Sequence, residues 1–227
     1  MPDGLKPKVA VYDLDRTLLR RPTFTYFLFW AALHYKPWRL LLTPIWLMVA
    51  LGYALKLYRR NVFKPMSIRL LLGERLPADW MAAVAKAFAQ SRVPSDVQPG
   101  ARAAIERDRA EGYRLIIATA APELYAPAIG AELGFDAVIA TRHQRYDNGD
   151  WSAQLAGSNC YGAEKARRVA AYLAEQGIDK PAHMRAYSDH PSDAALFALA
   201  DEATLVASGE KAERLARAHG WTLDNFR

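Results

Sequence analysis

The chain has 227 residues and one cysteine, Cys160, which excludes an internal disulfide and fits a reducing compartment. No histidine and cysteine cluster has zinc-ligand spacing. The glycines are isolated, so neither a phosphate-cradling Walker loop nor a dinucleotide fingerprint is present. Repeats and low-complexity tracts are absent. The two longest apolar runs, residues 22–35 and 40–55, hold 14 and 16 residues without a formal charge. As helices they would extend about 21 and 24 Å, short of the roughly 30 Å hydrocarbon core of a bilayer. The sharpest absence is regional. Residues 16–73 carry ten Lys or Arg and no Asp or Glu, so a chain of net charge +6 is −4 elsewhere. Such a segment attracts polyanions or anionic lipid.

What is present starts at residues 11–18, Val-Tyr-Asp-Leu-Asp-Arg-Thr-Leu. The apolar residues 9–12 predict a buried strand, and Asp13 and Asp15 leave its end two residues apart. Strand side chains alternate faces, so both carboxylates reach one site only if the chain is already turning. Two such charges are tolerable with a divalent cation between them or a shared proton. An oxygen-only pair suits Mg²⁺. Taken alone, the pair reads first as a strand running into a polar turn. Three later segments bear on that choice. Residues 114–118 predict a second strand, ending in Thr119. Residues 162–165 open a helix and place Lys165 near its start. Residues 186–189 end a further strand at Asp189, with Asp193 four residues on. Each alone has a plain structural reading: a turn hydroxyl, a solvated charge, a helix-start carboxylate.

Taken in order, Asp-x-Asp-x-Thr, Thr, Lys and Asp-x-x-x-Asp resemble the four motifs of the haloacid dehalogenase-like phosphohydrolases, in their phosphoserine-phosphatase-like branch. The resemblance covers residues 8–19 and 96–227. It implies an α/β fold: a Rossmann-like core with a mostly parallel sheet covered by helices on both faces. It also implies a small α-helical cap inserted after the first strand. The core is expected at 1–19 and 96–227, and the cap at 20–95. By the same resemblance Asp13 is the nucleophile that forms an aspartyl-phosphate, and Asp15 is the general acid and base. Thr119 would bond a phosphoryl oxygen, and Lys165 would offset charge. Mg²⁺ would be held by Asp13, the Asp15 carbonyl and Asp189, with Asp193 ligating or orienting. Departures from the family are Arg16, where Gly or Ser is commoner, and Ser188 and Ser192 around the last motif. His190 reads as structural or substrate-adjacent, since Asp15 already fills the role of base. Cys160 reads as non-catalytic.

The apolar, basic segment sets the expected substrate class. Residues 22–58 are expected as a hairpin dipping into one membrane leaflet, rich in Trp and Tyr and flanked by basic residues. The alternative is a buried cap over the site. Residues 63–73 resemble the bacterial phosphatidylglycerophosphatase C group. Phosphoserine phosphatases carry a cap glutamate nine residues after the nucleophile; that position is Pro22 here, which disfavours an amino-acid phosphate. The expectation is a Mg²⁺-dependent phosphatase acting on a lipid phosphate such as phosphatidylglycerol phosphate, at the cytoplasmic face of a bacterial inner membrane. The alternatives are a soluble small-metabolite phosphatase in the cytoplasm, or a membrane-bound adaptor without turnover. Nucleic acid is not an expected partner. Further elements are predicted as helices at 79–90, 101–112, 122–134, 163–176, 192–200 and 210–219, strands at 137–141 and 203–207, and a hairpin at 146–155. A linker is predicted at 92–100.

Overall fold

The computed structural model describes residues 6–227, so residues 1–5 of the expected first core segment lie outside it. In chain order the elements are β1 (Lys8–Tyr12), α1 (Phe24–Tyr35), α2 (Thr43–Ala54), α3 (Arg60–Leu71), β2 (Arg75–Leu76), α4 (Ala78–Asp96) and α5 (Pro99–Ala110). Next come β3 (Tyr113–Pro122), α6 (Ala126–Glu132), β4 (Ala137–Thr141), β5 (His143–Arg145), β6 (Trp151–Leu155) and α7 (Ala163–Glu175). The chain closes with β7 (His183–Ser188), α8 (Ala194–Phe197), β8 (Glu202–Val206), α9 (Glu210–His219) and β9 (Thr222–Asp224).

Six strands form one sheet in the order β4-β3-β1-β7-β8-β9, and every pairing in it is parallel. This is the expected α/β architecture. β1 sits inside it, with Val11 opposite Ile116 on one side and Ala186 on the other. Alternation divides its side chains between two cores. Val9 and Val11 pack with Ile116, Ala186 and residues of α7 and α9. Ala10 and Tyr12 pack on the opposite face with α5, α6 and the helices α1–α4. A parallel sheet covered on both faces places functional loops at the carboxyl ends of its strands, and here those are the ends of β1, β3 and β7.

Several boundaries differ from the predicted ones for local reasons. The linker predicted at 92–100 is helical as far as Asp96. Pro94 forfeits one backbone bond there, and the buried Arg92–Asp96 pair, 2.8 Å apart, spans the same turn. The helix predicted from 122 starts at Ala126, because β3 bulges between Ala118 and Pro122 and stays paired with β4. β9 is unforeseen; three residues carry too little periodicity to be read. β2, β6 and β5 form a small antiparallel sheet that ties the helical insertion to the β5–β6 hairpin.

Residues 22–58 differ most from expectation. They form two twelve-residue helices joined by a 3-10 turn at Pro37–Leu42. Phe27, Leu28, Ala31 and Ala32 of α1 and Trp46 and Val49 of α2 are buried inward. Phe27 lies 4.3 Å from the ring of Tyr125 and 5.0 Å from that of Phe88. The connecting cations also point inward: Lys36 Nζ donates to Leu72 O at 2.6 Å, and Arg39 donates to Arg69 O and Leu70 O at 2.9 and 3.0 Å. They satisfy the last carbonyls of α3, where a helix favours positive charge. Among the described residues no helix is long and apolar enough to cross a membrane. The outward face stays apolar, with Trp38 61 %, Leu41 81 % and Met48 74 % exposed.

Candidate active site

The turn required after β1 is present. Asp13 N–H extends the strand by donating to Tyr187 O at 2.9 Å, and the amides of Leu18 and Leu19 both return to Leu14 O. Arg16 takes the left-handed conformation, φ 66°, that lets the chain reverse. The buried Gln98 side chain pins the loop, donating to Arg16 O at 2.9 Å and Thr17 O at 2.7 Å.

Asp13 and Lys165 meet inside the protein. Lys165 Nζ donates to Asp13 Oδ1 at 2.7 Å and to Asp193 Oδ2 at 2.5 Å. The lysine and both acids are buried. Burial alone would lower the lysine pKa; Asp13 and Asp193 outweigh it and raise it above the usual range, so the ammonium stays charged. Ser188 Oγ also donates to Asp193 Oδ2 at 2.7 Å, while Asp193 Oδ1 is buried without a partner. These bonds fit an orienting role for Asp193. Asp15 Oδ1 accepts from Thr23 N–H at 2.8 Å. Burial, then the charge of Asp13, pushes the Asp15 carboxyl up to about 6, within reach of general acid and base work near neutrality. Thr119 lies near the end of β3 with its oxygen accepting from Ala121 N–H at 3.0 Å, so its own proton is available to a ligand.

Thr17 joins two of these segments. Its hydroxyl donates to Asp13 Oδ2 at 3.4 Å and accepts from Asp189 N–H at 2.9 Å. Burial, then Asp13, pushes the Asp189 carboxyl up to about 7. Among the described residues no three His, Cys, Asp or Glu side chains converge as a metal cage. Mg²⁺ asks for less: one or two carboxylates, a carbonyl, and otherwise water and phosphate oxygen. Asp13, buried, and Asp189, half-buried, whose carboxyls lack full compensation, make with the Asp15 carbonyl an oxygen-only set that fits it.

All six residues singled out from the sequence line one cavity of ≈ 330 Å³. His190 is at its rim, held by its own turn through Ser192 Oγ at 2.9 Å. Cys160 is buried and its thiol pushed up to about 11 by burial, which leaves it unreactive. Sequence reasoning missed the opposite wall, formed by Tyr53 of α2 and Arg60, Phe63 and Lys64 of α3. Lys64 is only 7 % exposed; its Nζ donates to Ala120 O at 2.5 Å and to Asn159 Oδ1. A signal existed: Lys64 stands on the stripe of α3 that buries Phe63, Ser67, Ile68 and Leu71.

The haloacid dehalogenase-like hydrolase family model matches residues 10–198. Protein CicA of Caulobacter vibrioides is 32% identical over 205 residues, covering 88% of this chain and 86% of that protein. A solved protein of unknown function from Bordetella pertussis Tohama I superposes with TM-score 0.82 at 20% identity, covering 98% of this chain and all of its own. A phosphoserine phosphatase solved as a phospho-aspartyl intermediate analogue gives TM-score 0.59 at 16% identity, over 98% of this chain and 94% of its own. That likeness covers 98% of this chain, so residues 22–58 fall largely within the shared fold. With the absence of any membrane-crossing helix among the described residues, this corrects the expected placement at the cytoplasmic face of a bacterial inner membrane. The match across most of the chain, together with the strand order, places the protein in the haloacid dehalogenase-like hydrolase family, as a phosphatase-type enzyme with the phosphoserine-phosphatase fold.

Proposed function

We propose that the enzyme hydrolyses a phosphomonoester in two steps through an aspartyl-phosphate on Asp13. In the first, an Asp13 carboxylate oxygen attacks phosphorus, the phosphorus–ester oxygen bond breaks, and Asp15 protonates the departing alkoxide. In the second, Asp15 takes a proton from water as that water attacks phosphorus, releasing phosphate and restoring Asp13. Lys165 orients Asp13 and offsets charge on the phosphoryl oxygens, and Thr119 donates to one of them. Mg²⁺, held by Asp13, Asp189 and the Asp15 carbonyl, would supply the positive charge that lets two anions approach.

The observation that carries this reading is the bridge from Lys165 to Asp13 and Asp193 in the same cavity as Asp15 and Thr119. The test is phosphate release from p-nitrophenyl phosphate with and without Mg²⁺. Release that requires the metal and disappears in Asp13→Asn is expected; release retained by that variant would refute the assignment.

Phosphoserine itself suits the cavity poorly, because its insertion wall holds no carboxylate for an ammonium group. A second reading, a lipid phosphate such as phosphatidylglycerol phosphate, is favoured by one feature. Tyr53 and Arg60 line the reactive cavity and also an outer hollow beside Lys56 and Tyr58, where Leu55 and Leu57 are exposed. A headgroup could enter there with its apolar part outside. Phosphate release from micellar phosphatidylglycerol phosphate exceeding that from glycerol phosphate supports it, and the reverse order dismisses it.

A further inference from the structure

Four of the ten cations of residues 16–73 are held by partners away from the reactive cavity. Lys36 and Arg39 cap α3, Arg21 faces Asp96, and Arg69 pairs with Glu74. Lys64 and Arg60 differ. They lie one turn apart on α3 and line the reactive cavity, and among the described residues neither has a carboxylate partner. The acceptors of Lys64 are a carbonyl and an amide oxygen, which use two of its three donors. Asn159 is itself held by Asn61 from the same helix, so the lysine is fixed from both sides. Arg60 lies with its guanidinium 4.2 Å from the centre of the Tyr161 ring, and its Nε donates to Tyr53 Oη at 3.1 Å. Among the described residues neither terminal nitrogen of its fork has a carboxylate partner.

A buried charge without a counter-charge is costly. Burial, then the neighbouring Arg60, lowers the Lys64 ammonium to about 7. The four carboxylates lining the cavity, Asp13, Asp15, Asp189 and Asp193, all come from the core, and the phosphoryl chemistry uses them. A phosphomonoester with a neutral alcohol would leave both cations of the insertion uncompensated. One with an ammonium would add a third positive charge beside them.

We infer that Arg60 and Lys64 form an anion subsite on the insertion wall that binds a second anionic group, a phosphate, phosphodiester or carboxylate, on the leaving alcohol of the substrate. This rests on the phosphatase reading and adds to it a substrate class: doubly anionic organophosphates. Arg60 presents a planar fork at the mouth and Lys64 a point charge deeper in, a combination that suits tetrahedral or planar oxyanions. A lipid headgroup phosphodiester and a free bisphosphate offer the same chemistry.

The test compares kcat/KM for propane-1,3-diol bisphosphate and for 3-hydroxypropyl phosphate, which differ only in the second anion. The wild-type enzyme is expected to prefer the bisphosphate at least about tenfold, and Lys64→Gln and Arg60→Gln to lose most of that ratio through KM. Lys64→Arg should recover part of it, and Lys211→Gln, at an exposed position on α9, should keep it. Equal kcat/KM for the pair in the wild type, or an equal loss on both substrates in the variants, overturns the subsite. If Lys64→Gln does not fold by circular dichroism, the exposed Arg60→Gln decides alone. Failure of the phosphatase reading is visible separately, as no turnover of p-nitrophenyl phosphate. Calorimetry then decides: propane-1,3-bisphosphonate must bind more tightly than propylphosphonate, with the difference lost in Arg60→Gln, and equal binding refutes the subsite. Micellar phosphatidylglycerol phosphate and its deacylated form separate the sources. Loss on both in the variants supports recognition of the anion itself, and loss on the lipid alone refutes it in favour of surface attraction.

Discussion

The two walls of the reactive cavity are built on opposite principles. The core wall concentrates four carboxylates and pairs two of them, Asp13 and Asp193, with Lys165, through bonds of 2.7 and 2.5 Å. The insertion wall has no acid, two cations without carboxylate partners, and aromatic rings. One wall ties two of its acids to a buried lysine; the other, among the described residues, leaves two cations without a carboxylate. On the proposed reading, the division puts bond chemistry on the core and choice of substrate on the insertion.

Changes on the core wall should cost the most. Asp13→Asn is expected to lower kcat on the order of 10⁴-fold or more without unfolding the protein, read by phosphate release and circular dichroism. Lys165→Met should lower kcat by roughly 10²–10³-fold. It should also cost about 3–5 kcal/mol in denaturant unfolding, because it leaves Asp13 and Asp193 buried as uncompensated charges. A variant of wild-type stability would mean that Lys165 does not hold these two acids in place. Phe88→Ala probes what holds the insertion in place. Phe88 is fully buried between α1 and Tyr125, and its loss should cost about 3–5 kcal/mol, seen as a lower midpoint in urea.

The smallest effect separates the walls by pH. Lys64 is mostly charged below about 7 and mostly neutral above. The charged groups facing it are Arg60 on its own helix and Asp15 across the cavity, and the Cys160 thiol before α7 stays protonated over this range. Preference for the doubly anionic substrate should therefore decline by several-fold between pH 6 and pH 8.5. Lys165, held charged by its two acids, should contribute no such decline. A ratio flat across that range would place recognition on Arg60 alone.

The same division explains what was legible in the sequence. Asp13, Asp15, Thr119, Lys165, Asp189 and Asp193 were legible as a set because they follow apolar strands or open a helix in an order that resembles the family's motifs, and the structure brings all six to one cavity. Thr17 and Ser188 were in view as neighbours, but their bonds to Asp13 and Asp193 cross between segments and leave no mark on spacing. Lys64 and Arg60 merged into a regional excess of charge. That excess, set beside two apolar runs, suggested a membrane hairpin. Composition does not tell which face of a helix is buried, nor that Lys36 and Arg39 turn back onto the carbonyls of α3. β9 escaped because a three-residue edge strand is defined by its partner, with Leu223 opposite Leu205.

On the proposed reading, a carboxylate oxygen of Asp13 accepts the phosphoryl group. The most direct measurement is a single turnover with enzyme in excess, quenched in hydroxylamine and mapped by peptide mass spectrometry. The account expects the hydroxamate at Asp13 in the wild type and none in Asp13→Asn. Phosphate release without modification at Asp13, or with modification at another carboxylate, would contradict it.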